Sequence, residues 1–260
     1  MSARADLSFN DSAVLTQLFE PESSPACGVV VDVSLPSDPV ISDADLLSSL
    51  RMQESDIIGR IEVACTKSAT SATRTQTLLE AYESLSSLID TYPEYASLRN
   101  NRAQLLRIQY GDSILVSSED SLTVPKASNA GHTALEDLNK AITLLSPASP
   151  QRLVSPAQGR TLSQAHMQRA ALYHATAKTL AVRRKTLEVQ HQQDCPAEGL
   201  GHWECQDYEE AASRDFLMGG RYGNQIGKAL AVHTNPTAKL CGQMVQQAMK
   251  RELFTHDVKQ

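Results

Sequence analysis

Two histidines and two cysteines cluster as His191-x3-Cys195-x6-His202-x2-Cys205. Imidazole and thiolate are ligands that zinc favours, and four of them complete its tetrahedral shell. The spacing matches no standard finger, and Pro196, Gly199 and Gly201 give the stretch the composition of a loop. It reads first as an unliganded loop. Zinc held by His191, Cys195, His202 and Cys205, or a Cys195–Cys205 disulfide, are the alternatives. No cofactor is expected.

Elsewhere the reactive residue types do not converge. There is no Gly-rich phosphate loop, and Gly219-Gly220 with Gly223 reads as the C-terminal turn of a helix. There is no nucleophile elbow and no His-Glu-x-x-His. His166 and His174 share a helical face two turns apart, too far to hold one ion, and both read as surface residues. The sequence therefore predicts a protein that is not an enzyme.

The elements that position these residues are helical. Of 260 residues, 41% are hydrophobic but only 5% aromatic, a mix that favours helices packed through aliphatic and small side chains. The net charge is -6 with no long basic run, which argues against nucleic-acid binding. Arg183-Arg184-Lys185 is short and reads as a solvated helix end, with nuclear import or partner docking as the sharper alternative. No uninterrupted apolar window is long enough to span a membrane, and the N-terminus lacks a signal-peptide pattern. Five scattered cysteines fit free thiols in a reducing compartment. A cytoplasmic protein is expected, with a nuclear pool left open, and a monomer.

Residues 1–45 read as an N-terminal helix, with Val14, Leu15, Leu18 and Phe19 on one face, followed by a Ser- and Pro-rich linker. Helical periodicity then runs from about Asp43 to Thr73. Thr77 with Glu80, Thr133 with Glu136 and Asp207 with Glu210 each have the spacing of a capping box and mark expected helix starts. Residues 111–131 and 191–206 read as inserted loops. Asn235-Pro236 places an N-cap before a first-position proline, opening a C-terminal capping helix over 235–252.

The three marked helices superimpose. Ala81/Leu85/Leu88, Ala134/Leu138/Ala141 and Ala212/Phe216/Gly219 recur at the same offsets, and a helix bearing Ala69, Ala103 or Ala170 precedes each. Small residues let paired helices approach closely while the larger ones fill the gap between pairs. This is the tetratricopeptide pattern of about 34 residues per helix–turn–helix unit, here stretched by loops. The expected fold is all-α: a short solenoid of three repeats, over 57–93, 95–146 and 162–220, within a domain covering 46–260 and flanked by N- and C-terminal packing helices.

The segment Tyr95-Ala-Ser-Leu-Arg-Asn-Asn-Arg-Ala-Gln104, with Ala134-Leu-Glu-Asp-Leu-Asn-Lys-Ala-Ile142, resembles the central repeat of the tetratricopeptide repeat protein 36 family. Asn10-Asp-Ser-Ala-Val-Leu-Thr-Gln-Leu-Phe19 and Asn235-Pro-Thr-Ala-Lys-Leu-Cys241 resemble its terminal helices. The likeness covers about two thirds of the chain and fails in the two insertions. It implies a groove, lined by the first helix of each pair, that holds a segment of another protein. The superfamily's best-known groove clamps acidic chaperone tails with two Lys, two Asn and an Arg. Of those positions only Asn101 matches here; the others fall on Thr66, Thr70, Gln164 and Gln168. Without the cations a carboxylate clamp is disfavoured. The resemblance instead implies an adaptor whose groove, around Asn101, Gln104, Arg107 and Gln168, recognises a polar or helical partner segment. A heat-shock chaperone or its client is one such partner. For Asn101 an intra-repeat hydrogen bond is the plainer reading. A structural subunit of a larger complex, or a metal-dependent regulatory module using the 191–205 loop, are the alternatives.

Overall fold

A computed structural model of the protein describes residues 29, 31–66, 70–116, 124–148, 153–189 and 203–257. The N-terminal helix expected over residues 10–19 lies outside them, as do Ala69 and most of the 191–206 insertion. Among the described residues there are eight helices: α1 Ala44–Ala64, α2 Ser71–Thr91, α3 Ala96–Tyr110, α4 Val124–Leu145, α5 Pro156–Val189, α6 Cys205–Arg221, α7 Gln225–Thr234 and α8 Pro236–Asp257. The only β pairing among these residues is an isolated Val31–Val154 bridge. None of the helices is long and apolar enough to cross a membrane.

Three helix pairs stack as the repeat pattern requires. Each helix packs on the next in the chain, and successive first helices also touch, α1 with α3 and α3 with α5. Three apolar clusters alternate along the stack. Leu50 and Leu85 meet Leu98 and Leu105 between the first pair and α3. The opposite side of α3, through Ala103 and Leu106, meets Leu138, Ala141 and Leu172. Tyr208, Ala212 and Phe216 meet Ala170 and Ala177 in the third pair. Each fully buried leucine contributes about 1.5–3 kcal/mol, and no pair could bury this surface alone. The overlaid positions Ala81, Leu85, Ala134, Leu138, Ala212 and Phe216 are all buried.

Helix boundaries differ from the expected ones for identifiable reasons. Thr77 and Thr133 lie inside helices, because hydrophobic periodicity marks only the buried part of a helix. Thr70 is the real cap of α2, accepting from the Thr73 N–H at 3.2 Å. The first turns of α2 are exposed, so nothing apolar announces them. Asp207 acts one turn earlier than expected: its carboxylate accepts from the Glu204 N–H at 2.7 Å, so it belongs to the first turn rather than the cap. The loop assigned to 111–131 ends at Val124, and its last residues are helical. Gly131, read there as a loop glycine, lies in α4 where a Cβ would come within 2.7 Å of the Ile114 carbonyl oxygen. It marks a close approach rather than a break. The insertion also contributes to packing, through buried Ile114 and Val116.

The C-terminal end departs most. α7 forms where the sequence carries no helix signal. Gly227 has the look of a helix breaker, yet its N–H donates to the Asn224 cap at 2.9 Å and the helix lies against α6. α8 forms where expected, with Asn235 accepting from the Thr237 and Ala238 N–H groups at 2.9 and 3.3 Å. It does not close the stack, however. Leu240, Met244 and Met249 remain more than half exposed, at 57%, 61% and 58%. α7 occupies the place against α6 that a capping helix would take, and the Lys239–Glu209 ion pair at 2.7 Å holds α8 near its start.

A strap precedes α1 and ties the first pair to the third. The Val29 N–H donates to the Arg221 carbonyl at 3.3 Å, and the Asp32 N–H donates to the Val154 carbonyl at 2.9 Å. Asp38, buried, accepts from the Val40 and Ile41 N–H groups at 2.9 Å each and turns the chain into α1.

Candidate functional site

Side by side, α1, α3 and α5 form one continuous inner face, and polar side chains link them along it. Glu54 of α1 is buried and accepts from Tyr95 Oη at 3.0 Å, from Ser97 Oγ and from Asn101 Nδ2. Gln168 of α5 repeats the motif one helix along: its Nε2 donates to Asn100 Oδ1 at 2.9 Å and to the Asn100 carbonyl at 3.2 Å. Asn101 and Gln168 therefore hold successive first helices together. Asn101's bond crosses between repeats rather than staying within one. Thr70 caps α2, so the clamp positions assigned to Thr66 and Thr70 fall past the end of α1 and outside the inner face.

Burial pushes the Glu54 carboxyl above the usual carboxylate range, against the pull of Ser97, Tyr95 and the nearby Arg51 charge. A carboxyl raised in the folded state stabilises most when protonated, and that contribution fades as pH rises through the raised value. The margin of the wild type over Glu54→Gln should therefore narrow as pH rises above the ordinary carboxylate value of about 4.3. Glu54→Ala, which strands three donors, should cost about 2–3 kcal/mol at acidic pH, and that margin should narrow with rising pH in the same way. Urea unfolding of the two variants checks both statements.

Beside Glu54 the strap, α1, α3 and the start of α5 enclose a cavity of about 350 Å³. Its apolar wall comes from Val33, Leu35, Leu145, Pro156 and Ala157. Gln158 is fixed there by donating to the Leu145 carbonyl at 2.6 Å. Two arginines, Arg51 and Arg160, stand at this cavity. Neither forms an ion pair among the described residues, and both are exposed. The carboxylates at the cavity are differently placed: Glu54 and Asp38 already accept two or more hydrogen bonds each. The cavity thus offers cationic donors and few free acceptors, which suits an acceptor-rich or anionic ligand group.

The residues singled out from the sequence do not gather here. Gln104 is exposed on α3, and Arg107 pairs with Asp112 at 2.7 Å. Of the four, only Asn101 reaches a residue of the cavity, through Glu54. Arg51 and Arg160 carried no signal in the sequence, because they lie on different first helices that meet at one cavity only in the folded stack. In the possible metal cluster, His191, Cys195 and His202 lie outside the described residues. Cys205 opens α6; its thiol donates to the Ala177 carbonyl at 3.3 Å, and burial raises its pKa. Trp203 beside it packs on Tyr173 and Tyr208 with ring centroids 5.6 and 5.1 Å apart. His166 is not on the surface: it is buried, with Nδ1 2.8 Å from Asp215. His174 is partly buried, and desolvation lowers its pKa.

Comparison with known proteins fits this architecture. The chain is 35% identical over 256 residues to the L-tyrosine degradation gene cluster protein hmgX of Aspergillus fumigatus, covering 96% of this chain and 95% of that protein. It is 26% identical to tetratricopeptide repeat protein 36 of Bos taurus, over 92% of this chain and 93% of that one. The chain belongs to the tetratricopeptide repeat protein 36 family. The Drosophila melanogaster homolog of tetratricopeptide repeat protein 36 is 30% identical over 59% of this chain and 51% of its own length. No family model matches the chain. No solved structure matches it.

Within this member of the family, the segment that carries the sequence likeness also carries the inner face. Tyr95, Ser97 and Asn101 all bond to Glu54, while Arg99 and Arg102 reach the other way to Asp137 at 3.2 and 2.7 Å. One short helix thus binds its neighbour in the stack with one side and its own partner helix with the other.

Proposed function

We propose that the protein is a non-catalytic adaptor of the cytoplasm that holds a segment of a partner protein on the inner face of its repeat stack. The observation that carries this reading is the cavity beneath the strap, where Arg51 and Arg160 stand without an ion pair among the described residues. A partner side chain or backbone rich in acceptors would complete them. Gln104 and Arg107 on the same first helix as Asn101 extend the surface. The name of hmgX places that relative in an L-tyrosine degradation gene cluster. By that likeness the partner is an enzyme of tyrosine breakdown, and a heat-shock chaperone or its client is the second candidate.

Affinity purification from the cells that make the protein, followed by mass spectrometry, tests this. An enzyme of tyrosine breakdown should be retained by the wild type. It should bind at least about tenfold more weakly to the Arg51→Glu/Arg160→Glu variant, since two charge reversals set carboxylates against an acceptor-rich ligand group. Equal retention by both, and by an Arg107→Glu/Gln104→Ala variant, would remove the inner face from consideration. Recovery of a chaperone in place of the enzyme would favour the second candidate.

A further inference from the structure

Along the first helices an arginine generally meets a carboxylate. Arg60 pairs with Asp56 at 3.2 Å, Arg102 with Asp137 at 2.7 Å, Arg107 with Asp112 at 2.7 Å and Arg169 with Asp215 at 2.6 Å. Arg51 and Arg160 have no such partner among the described residues, and both line the cavity of about 350 Å³ beside the strap. Two guanidiniums that come to one concave surface without an ion pair of their own suit an anion.

The other polar groups of the cavity are largely engaged. Tyr95 and Ser97 give their hydroxyls to Glu54, and Thr161 gives its own to the Ala157 carbonyl at 3.2 Å. The two carboxylates at the cavity, Glu54 and Asp38, are satisfied by donors of the protein itself. Gln164 accepts from Asn100 Nδ2 at 3.4 Å through its oxygen, which leaves its amide nitrogen to donate. The strongest groups still open at the cavity are therefore two guanidiniums and an amide, all of them donors. Pro156 and Ala157 open α5 at the same cavity, so the positive end of that helix dipole adds to the field.

Size narrows the class of anion. Small-molecule sites begin at about 300 Å³. A cavity of about 150 Å³ holds benzene, so this one takes roughly a dozen non-hydrogen atoms. An Asp or Glu side chain alone would leave much of it empty. The lining also includes carbon surface for a ligand to cover: Leu35, Leu145 and Val33, the last 86% exposed on the strap. We propose that the cavity is a binding site for a free small organic acid, a carboxylate on a compact apolar body, with Arg51 and Arg160 holding its charged head. The proposal rests on the same reading of those arginines as unpaired donors, but it needs no protein partner.

Isothermal titration calorimetry of the full chain with phenylpropanoate, at neutral pH and low salt, tests this. A Kd below about 1 mM is expected, modest as befits so few ligand atoms. Phenylpropanamide, alike in shape but uncharged, should bind at least about tenfold more weakly. The acid should lose at least as much affinity for the Arg51→Met/Arg160→Met variant. No binding of the acid, equal affinity for acid and amide, or equal affinity of the acid for wild type and variant would overturn the proposal. Acetate or inorganic phosphate binding as tightly as the acid would also overturn it, since the apolar body would then contribute nothing. Should the variant fail to fold, the comparison of acid with amide on the wild type decides. No partner protein is present, so a negative titration leaves the adaptor reading standing, and a failed enzyme capture leaves this site standing.

Discussion

Replacing Asp215 by Ala should destabilise the protein by about 3–5 kcal/mol at neutral pH. Asp215 is 4% exposed on α6. Its carboxylate accepts from Arg169 Nε at 2.6 Å and Nη2 at 2.7 Å, and lies 2.8 Å from His166 Nδ1. The stacked Tyr222 ring covers the imidazole at 6.0 Å. Truncation leaves a guanidinium and an imidazole facing each other in the third pair with no anion between them. That penalty, rather than the modest net worth of the ion pair, sets the size of the effect. Asp215→Asn, which keeps an acceptor oxygen, should lose less. The pH dependence follows from the direction of the shift. Burial works to raise the Asp215 carboxyl, but the Arg169 and His166 hydrogen bonds and charges outweigh it and hold the group below its ordinary value. A depressed carboxyl contributes stability above its unfolded pKa and loses it as pH falls through the folded one. Wild type and Asp215→Ala should therefore converge in urea unfolding as pH drops below about 3.9. A gap as wide at pH 2.5 as at pH 7 would mean that the carboxylate is not what holds the pair.

Gly227→Val should release the C-terminal helices while leaving the first two pairs intact. A Cβ at this position would come within 2.8 Å of the Phe216 carbonyl oxygen, 3.0 Å of the Gly220 nitrogen and 2.9 Å of Met167 Sδ. Two of these three neighbours are backbone atoms and cannot swing aside. Gly220 faces it with the same intolerance, 3.0 Å from the Lys228 nitrogen. The two glycines let α6 and α7 cross at backbone contact, and overpacking such a crossing costs about 1–3 kcal/mol. Amide exchange should accelerate in 225–234 and stay unchanged in α1–α3. Gly59 is the control: nothing lies within 4 Å of the position its Cβ would occupy on α1. Gly59→Ala should therefore stabilise by about 0.5–1 kcal/mol, the ordinary gain in a helix interior. Thermal melts of the two variants should shift in opposite directions.

These glycines illustrate what the sequence could and could not reveal. The buried Ala–Leu spacing of Ala81/Leu85 and Ala134/Leu138 was legible because helix periodicity is local and each repeat states it again. The Asn235 cap was legible for the same reason, being complete within three residues. Gly227 and Gly131 were not, since a glycine at a close helix approach and a glycine in a loop look alike until the neighbouring backbone is known. The polar links were equally hidden. Asn101 and Gln168 stand out in the sequence as polar residues within helical segments. That they bond to Glu54 and Asn100 depends on how the repeats stack, which no spacing within one repeat expresses. Arg51 and Arg160 are more than a hundred residues apart. The stacking of the first helices and the course of the strap together make them members of one cavity.

That strap has a consequence for how the molecule comes apart. A plain repeat array is linear: either end can peel away one unit at a time, and each unit answers only to its neighbours. Here Val29 and Asp32 grip residues of the third pair, and Ser155 Oγ donates to the Ser37 carbonyl across 118 positions of sequence. The chain is thereby looped back on itself, and unzipping from the first pair must break contacts at the third. Such a loop trades fast, local assembly for unison. It raises the contact order and slows folding relative to an open array, and it couples the melting of pairs that are not neighbours in the stack.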